Sequence, residues 1–425
     1  MKSSSSVPGR KKGKMIETKE EKERVILVGV STGEHDDTEK SLRELAELVS
    51  TAGAETLDIM IQNRESIHPG TYLGKGKIDE VRERVAELGA DGVVCDDELS
   101  PAQLRNLQDA LDCKVMDRTI VILDIFAAHA TTREGRIQVE LAQLKDRAVR
   151  LVGMRRSLSR LGGGIGTRGP GEKKLEIDRR RIHERISQLK SELAEVTRHR
   201  ETTRMKRTKN HMPVAAIVGY TNAGKSTLLN SLTQADIFAE DKLFATLDPT
   251  TRELILGAGE RVLLTDTVGF IRKLPHHLIE AFQSTLEEAR YADLILHVVD
   301  ASNPDMDVQM HVVYETLKKL EISDKPIYTL FNKVDKEGVP EVLKDFQAEK
   351  AFRISARTGE GLEDVKEALS SFLRSRGIAV NRCFSYAEAG KIQILRKYGQ
   401  LLSEDYTDEG IVVTGFIPAE YYDRL

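Results

Sequence analysis

The segment from Gly219 to Ser226 reads GYTNAGKS and has the spacing of a phosphate-binding loop. In such a loop, a Gly-rich turn between a strand and a helix directs backbone N–H groups at nucleotide phosphates, and the helix N-terminus adds favourable dipole charge. Here the apolar run Val214 to Val218 precedes the turn, and Thr227 to Leu232 has a helical pattern. An isolated match of this kind also fits a Gly-rich turn that binds nothing, so residues elsewhere in the chain must distinguish a phosphate-binding loop from such a turn.

Four residues of the loop have residue types suited to phosphate chemistry. Gly219 and Gly224 let the backbone wrap closely around phosphate. Lys225 is predicted to reach the β- and γ-phosphates, and the Ser226 hydroxyl is predicted to ligate Mg²⁺.

Three further strings follow in the order that a guanine-nucleotide switch requires: DTVG at 266, NKVD at 332 and SAR at 355. Asp266 follows the apolar strand Val262 to Leu264, so its carboxylate emerges at a strand end, where it is predicted to hold the metal through water. Gly269 is predicted to offer a backbone N–H to the γ-phosphate. Four strings in this order, within about 140 residues, favour a nucleotide switch over an accidental turn.

The NKVD string indicates which base is bound. The Asp335 carboxylate is an acceptor-only group with two oxygens, which suits the two parallel N–H donors that guanine presents and adenine lacks. The residues therefore predict a Mg²⁺-dependent GTPase that hydrolyses GTP to GDP and phosphate. An ATP-driven RNA remodeller is the alternative, and the base preference would distinguish the two.

Three longer strings resemble the HflX family of ribosome-associated GTPases, over nearly the whole chain: FATLDPTTR from Phe244, DTVGFIRKLP from Asp266 and GGGIGTRGPGEKKLEIDRR from Gly162. The resemblance implies that Thr246 closes on Mg²⁺ and the γ-phosphate. The residues alone leave Thr250 and Thr251 as competitors for that role.

The resemblance also assigns the nucleotide contacts. They are Gly219, Tyr220, Thr221, Asn222, Ala223, Gly224, Lys225, Ser226 and Thr227; Phe244, Ala245, Thr246, Leu247 and Asp248; Asp266, Thr267, Val268 and Gly269; Asn332, Lys333, Val334 and Asp335; and Ser355, Ala356 and Arg357. Within this set the predicted catalytic residues are Lys225, Thr246 and Gly269. The predicted metal site consists of Ser226, Thr246 and, through water, Asp266.

Phe270 stands where many switches of this class have a glutamine that orients the attacking water. A phenyl ring cannot orient water by hydrogen bonding, so we expect slow unassisted turnover and strong activation by a partner. The alternative is that Phe270 packs under the switch while a nearby residue positions the water.

Composition sets the broad class of protein. A chain of 425 residues is expected to form two to four domains, and its hydrophobic content of 40% is ample for their cores. Its three cysteines, Cys95, Cys113 and Cys383, have no metal-ligand spacing and suit a reducing cytosol. We find no signal-peptide pattern and no run of about 18 apolar residues, so we expect a cytoplasmic monomer.

Charge is unevenly distributed along the chain. The net charge is −4, yet residues 155–210 contain 17 Lys or Arg against 7 Asp or Glu, which is +10 and leaves −14 for the rest. Such segregation is the electrostatic footprint of a site for a phosphate backbone. A solvated helix rich in ion pairs is the alternative.

Two apolar stripes flank this basic segment and predict an antiparallel helical hairpin. They are Ile137, Leu141, Leu144, Ala148 and Leu151, then Ile182, Ile186, Leu189, Leu193 and Val196. The tip, from Gly162 to Gly171, has six glycines in ten residues and basic residues around it. The predicted RNA contacts are Arg155, Arg156, Arg160, Arg168, Lys173 and Lys174. Family resemblance implies that the surface they meet belongs to the large ribosomal subunit, whereas the alternatives are a hinge or the effector surface of a signalling or scaffold GTPase.

The predicted organisation follows from these elements. It is an α/β protein with a disordered leader (1–22), a small parallel α/β domain (23–134), the helical hairpin (135–210), a doubly wound P-loop GTPase domain (211–376) and a small C-terminal α/β domain (377–425). Nucleotide state is expected to govern docking on the ribosome. The resemblance implies splitting or rescue of ribosomes under stress, or a role in ribosome biogenesis.

Overall fold

The computed structural model describes residues 22–33, 37–161, 170–209, 212–234, 243–244, 246–257, 260–275, 278, 288–322, 324–417 and 419–425. At 152–161, 170–175, 201, 203–209, 400 and 419–420 this description covers the backbone only. The predicted leader therefore lies almost entirely outside the described residues.

The N-terminal domain is built on a parallel sheet. Its elements are β1 (Arg24–Ser31), α1 (Thr38–Thr51), β2 (Glu55–Asn63), α2 (Lys75–Leu88), β3 (Gly92–Cys95), α3 (Pro101–Leu111), β4 (Lys114–Asp117) and α4 (Arg118–His129). The strand order is β2-β1-β3-β4. Because helices cover both faces of such a sheet, β1 is buried without interruption from Val25 to Val30, as its apolar sequence requires. Helix α4 begins where the buried Asp117 carboxylate accepts a hydrogen bond from the Ile120 amide, at 3.1 Å.

The predicted hairpin is confirmed as two antiparallel helices, α5 (Arg133–Leu161) and α6 (Pro170–Lys209). Residues of both stripes pack against each other, namely Ile137, Leu141, Leu144, Ile182, Ile186, Leu189, Leu193 and Val196. Ion pairs also join the helices, since Arg185 donates two hydrogen bonds to Glu140 (2.7 and 2.9 Å) and Arg200 donates one to Glu134 (2.5 Å). Most of the tip, residues 162–169, lies outside the described residues.

The GTPase domain has a doubly wound sheet, as predicted. Its elements are β5 (Val214–Gly219), α7 (Lys225–Thr233), β6 (Thr250–Ile255), β7 (Arg261–Asp266), β8 (Leu294–Asp300), α8 (Met306–Lys319), β9 (Ile327–Asn332), β10 (Lys350–Arg353) and α9 (Leu362–Ser375). The order is β10-β9-β8-β5-β7-β6, and β6 runs antiparallel to its neighbour while the others are parallel. Strands β7 and β6 lie on one side of β5, and β8, β9 and β10 lie on the other, so the strand order reverses at β5. In sheets of this type, the ligand-binding crevice lies at the carboxyl end of the strand where the order reverses.

The C-terminal domain is a three-stranded antiparallel sheet with helices. It consists of β11 (Ile378–Phe384), α10 (Ala389–Tyr398), β12 (Gln400–Thr407), β13 (Gly410–Ile417) and α11 (Ala419–Tyr422), with strand order β11-β13-β12. The overall α/β class with these four parts is the one predicted.

A single hydrophobic core joins the N-terminal and GTPase domains. It contains Leu42 and Phe126 from the first, and Tyr220, Phe244 and Phe270 from the second. The phosphate loop, the segment around Thr246 and the segment after Asp266 therefore lie against the N-terminal domain. Within the described ranges, no helix is long and apolar enough to cross a membrane.

Candidate nucleotide site

The phosphate loop connects β5 to α7, and the packing around it explains its two outer glycines. A Cβ on Gly219 would lie 2.2 Å from the carbonyl oxygen of Val298. Gly224 has φ +94°, and a Cβ there would lie 2.3 Å from Asn332 Nδ2. Since neither position has room for a side chain, the backbone of the loop passes close to the neighbouring strands and stays open towards the ligand side.

Lys225 is the first residue of α7 and is buried. Its Nζ donates a hydrogen bond to the carbonyl oxygen of Tyr220 at 2.8 Å. Burial lowers the pKa of Lys225 to about 8, because the charged form is poorly solvated there. A Cβ on Gly269 would lie 2.9 Å from Lys225 Nζ, so the fold brings together the ammonium group and the glycine predicted to contact the same γ-phosphate.

The residues of the predicted metal site meet at one point. Ser226 Oγ donates to Asp266 Oδ2 at 2.6 Å and lies 2.7 Å from Thr246 Oγ1. The competing threonines are placed elsewhere, since both belong to β6 and Thr251 Oγ1 contacts Thr265 Oγ1 at 3.0 Å. Of the three candidates, Thr246 is the one whose hydroxyl reaches Ser226.

The chemistry of this cluster fits Mg²⁺. Burial raises the pKa of Asp266, and its Oδ1 is buried without a hydrogen-bond partner among the described residues. A cation would satisfy that oxygen and favour the ionised form. The described residues contain no group of three or more His, Cys, Asp or Glu side chains arranged for a metal. Few carboxylates are expected at a Mg²⁺ site that relies on hydroxyls, water and substrate phosphates.

The guanine side of the site is held together by hydrogen bonds between loops of the GTPase domain. Asn332 Nδ2 donates to the carbonyl of Ala223 (2.8 Å), and its Oδ1 accepts from the amide of Ala356 (2.9 Å). Lys333 Nζ donates to the carbonyl of Asn222 (2.8 Å) and pairs with Asp300 (2.7 Å). Asn332 and Lys333 thus hydrogen-bond the NKVD string to the phosphate loop, and Asn332 also hydrogen-bonds to the SAR string.

Asp335 is exposed at the edge of this arrangement. Its Oδ1 accepts a hydrogen bond from Ser355 Oγ at 2.7 Å, and this bond holds the pKa of Asp335 below its usual value. The carboxylate is therefore ionised near neutral pH and still has lone pairs for two N–H donors of a base.

Phe270 pairs with the phosphate loop through its backbone, whereas its ring is buried in the shared core. Its amide donates to the carbonyl of Gly219 (3.1 Å), and its carbonyl accepts from the amide of Thr221 (2.8 Å). Since the ring is only 2% exposed, it packs under the switch and does not face a bound water.

The N-terminal domain reaches the phosphate side through Tyr220. The phenol accepts a hydrogen bond from the Arg272 amide (2.9 Å) and donates one to the Glu44 carboxylate on α1. Burial raises the pKa of Tyr220 to about 12, so the phenol stays protonated and remains a donor. Glu44 also pairs with the buried Arg118, which in turn pairs with Asp96 at 2.8 Å.

Ion pairs extend this network to the residues after Phe270. Arg272 donates to Asp37 at 2.8 Å, and Lys273 pairs with both Asp96 and Asp97. Arg272 and Lys273 belong to the DTVGFIRKLP string, but no role was predicted for their side chains. No local motif signals their partners Asp37, Asp96 and Asp97, because each pair lies more than 170 residues apart along the chain.

The segment around Thr246 also contacts the N-terminal part of the chain. The ring of Phe244 packs against Phe126, and the Asp248 carboxylate accepts hydrogen bonds from Thr131 and Thr132. These two side chains, predicted among the nucleotide contacts, are thus directed away from the hydroxyl cluster. Ala245, and the side chains of the predicted RNA contacts at 155, 156, 160, 168, 173 and 174, lie outside the described residues.

Known families match consecutive parts of the chain. One is described as GTP-binding GTPase N-terminal and matches residues 39–127, one as GTP-binding GTPase Middle Region (129–207), and one as 50S ribosome-binding GTPase (214–333). A solved GTP-binding protein from Sulfolobus solfataricus in complex with GDP is 23% identical, with a TM-score of 0.43 over 82% of this chain and 98% of that one.

Several relatives are similar to this chain over most of its length. A GTPase HflX from Lacrimispora saccharolytica is 66% identical over 97% of both chains. A GTPase HflX from Caldanaerobacter subterraneus subsp. tengcongensis is 49% identical, covering 97% of this chain and 95% of the relative. The GTPase HflX of Escherichia coli K12 is 44% identical over 83% of each.

Proposed function

The chain belongs to the HflX family of GTPases, and from this premise we propose that it uses its GTP cycle to control binding to the large ribosomal subunit. GTP is the substrate, and GDP and phosphate are the products. The ribosomal partner is supported by the charge distribution and by the description of the matching family model as a 50S ribosome-binding GTPase.

We assign the chemical steps to residues as follows. Lys225 and the backbone N–H of Gly269 stabilise negative charge on the transferred phosphoryl group, at the point where the two residues meet. Ser226, Thr246 and Asp266, the last through water, would hold Mg²⁺, which when bound neutralises the β- and γ-phosphate oxygens. Asp335 accepts the two N–H donors of guanine.

The hairpin is the proposed ribosome-binding element. The observation that carries this proposal is the excess of ten positive charges in residues 155–210 of a chain whose remainder is strongly negative. On the described part of α6, Arg179, Arg180 and Arg181 are exposed. The 29 residues of α5 form a rod of roughly 40 Å, so the tip can enter a cleft far from the nucleotide. Arg155, Arg156, Arg160, Arg168, Lys173 and Lys174 would contact rRNA there.

The residue type at position 270 supports a role for the ribosome in turnover, whereas the burial of the Phe270 ring is equally what the alternative of a nearby water-positioning residue predicts. With no side chain at that position to orient water, we propose that hydrolysis is slow in the free protein and accelerates on the subunit. The cycle would serve splitting or rescue of ribosomes under stress, or ribosome biogenesis, with the protein acting as a cytoplasmic monomer.

The first test measures GTP turnover with and without purified large subunits, using free RNA of similar charge as the control. We expect strong stimulation by subunits alone. Equal rates in all three conditions would contradict the proposal and favour a switch that binds a protein effector. Preference for ATP over GTP would favour an RNA remodeller.

A second test addresses the hairpin tip. Replacing Arg155, Arg156, Arg160 and Arg168 by Ala should weaken subunit binding in the presence of a non-hydrolysable GTP analogue. It should also reduce the slope of log affinity against log salt by about 3 to 4, since each of the four lost phosphate contacts removes roughly 0.7 to 0.9 of a released counterion. The control removes exposed charges from the GTPase domain, at Lys318, Lys319 and Lys344. An unchanged salt slope in the tip variant would make the loop a hinge.

A further inference from the structure

Thr246 is bracketed by two contacts with a segment outside the GTPase domain. Two residues before it, the Phe244 ring packs edge-on against Phe126 of α4, with ring centroids 4.7 Å apart. Two residues after it, the Asp248 carboxylate binds the α4–α5 connector, residues 130–132. A two-residue span reaches at most about 7 Å, so fixing both flanks confines the Thr246 hydroxyl to a small volume.

The connector surrounds the Asp248 carboxylate with donors. Oδ2 accepts hydrogen bonds from the Thr131 amide (2.9 Å), Thr131 Oγ1 (2.7 Å) and the Thr132 amide (2.8 Å). Oδ1 accepts from Thr132 Oγ1. Although partial burial opposes ionisation, these bonds together hold the pKa of Asp248 below its usual value. The side chain is therefore a charged acceptor with four donors, and such bonds are stronger than neutral ones.

The first turn of α5 leaves room for the Asp248 carboxylate. A Cβ on Gly135 would lie 2.4 Å from Asp248 Oδ1, so the first turn of α5 approaches the carboxylate closely only because residue 135 is glycine. Thr132 is itself fixed, since its Oγ1 accepts from the Gly135 amide (3.0 Å) and its carbonyl accepts from the Arg136 amide (3.1 Å). The connector is thus a rigid helix start and not a loose loop.

Phe244, on the other side of Thr246, has an uncommon backbone conformation. Phe244 has φ +56°, which is uncommon for an aromatic residue and persists only where surrounding contacts impose it. Phe126 and Phe244 are both almost fully buried, so their packing is a sufficient source of that constraint.

We propose that Phe126, Thr131 and Thr132 are positioning residues for GTP hydrolysis. By holding Phe244 and Asp248, they keep the Thr246 hydroxyl beside Ser226 and Asp266, where the proposed function requires it. The inference rests on that role for Thr246. It makes the α4–α5 connector part of the catalytic apparatus although it lies more than 100 residues away in sequence, and α5 starts at the next residue, Arg133.

The test compares Asp248→Ala with wild type in single-turnover GTP hydrolysis, in Mg²⁺ titrations and in binding of fluorescent GDP. We expect kcat to fall about tenfold, as for loss of a charged hydrogen-bonded group. The Mg²⁺ concentration for half-maximal rate should rise, while GDP affinity stays unchanged because GDP lacks the γ-phosphate on which Thr246 closes. The control is Asp307→Ala, an exposed carboxylate on α8.

A second pair of variants separates positioning from folding. Thr131→Ala/Thr132→Ala removes two of the four donors and should lower kcat by roughly threefold, since the backbone amides remain. Thr131→Ser/Thr132→Ser restores the hydroxyls and should recover most of the rate. Asp248→Ala could instead weaken GTP and GDP binding to the same extent and lower Tm, with no separate loss of kcat. That result would make the contact merely structural and overturn the proposal.

The Thr246→Ala variant distinguishes the role of Thr246 itself from the positioning contact made by Asp248. Loss of activity in Thr246→Ala with wild-type kinetics in Asp248→Ala would refute the positioning contact and leave the role of Thr246 intact. Wild-type kinetics in Thr246→Ala would refute the role of Thr246 and the positioning contact with it.

Discussion

On the guanine side of the site, the contacts among the described residues lie within the GTPase domain, whereas on the phosphate side further supporting contacts come from the N-terminal part of the chain. Asn332 and Lys333 bind the carbonyls of the phosphate loop, and Asp335 is oriented by Ser355. Tyr220, in contrast, is held by Glu44, and the segment around Thr246 is held by α4 and its connector.

This difference separates recognition from turnover. On the proposed assignments, we expect base selectivity to depend on one domain and to be insensitive to how the N-terminal part is placed. We expect closure on the γ-phosphate to depend on two domains, so that a partner that shifts the N-terminal domain or the hairpin would change the hydrolysis rate. The comparison predicts that variants on the two sides differ in which kinetic parameter they change.

The largest effect is expected where both sides meet, at Lys225. Lys225→Ala should lower kcat/KM for GTP by about 100-fold or more, because the buried ammonium group is the cation proposed to stabilise the transferred phosphoryl group. The measurement is GTP hydrolysis in the presence of large subunits, with Lys318→Ala as a control for loss of an exposed cation. A wild-type rate in Lys225→Ala would mean that the phosphate loop is misassigned.

On the guanine side, Asp335→Asn should change specificity without impairing chemistry. The amide replaces one acceptor by a donor, so GTP affinity should fall by roughly 10- to 100-fold, and xanthosine triphosphate, whose base has a carbonyl where guanine has an amino group, should be bound better. At saturating xanthosine triphosphate, kcat should approach that of the wild type with GTP. Unchanged discrimination among GTP, xanthosine triphosphate and ATP would disprove the assignment of Asp335.

On the phosphate side, Tyr220→Phe should give the smallest effect, in kcat and not in affinity. It deprives the Arg272 amide of its acceptor and Glu44 of its donor, a loss of about 1 kcal/mol or a fivefold fall in kcat. Glu44→Gln should show non-additive coupling with it in a double-mutant cycle. Ser355→Ala is the matched change on the guanine side and should weaken GTP and GDP equally. If Tyr220→Phe also weakened both nucleotides equally, the division between the two sides would collapse.

Most of the fold was predictable because its signals are local. Strands buried on both faces, such as β1, read as continuous apolar runs, and the hairpin helices show their stripes at helical spacing. The four nucleotide strings each combine a strand end with a special residue type, and the structure places the hydroxyls of Ser226 and Thr246 and the carboxylate of Asp266 within a hydrogen-bonded cluster.

Short stretches of sequence are enough to predict the chemistry, because Gly, Lys, Ser and Asp at those spacings act through geometry that a few consecutive residues create. Which domain contacts which side of the site depends instead on how the domains pack. Glu44, Thr131 and Thr132 carry no motif, and they matter only because the packing of the domains places them against Tyr220 and Asp248. Contacts between residues more than 100 positions apart depend on the packing of whole domains, which no local pattern encodes.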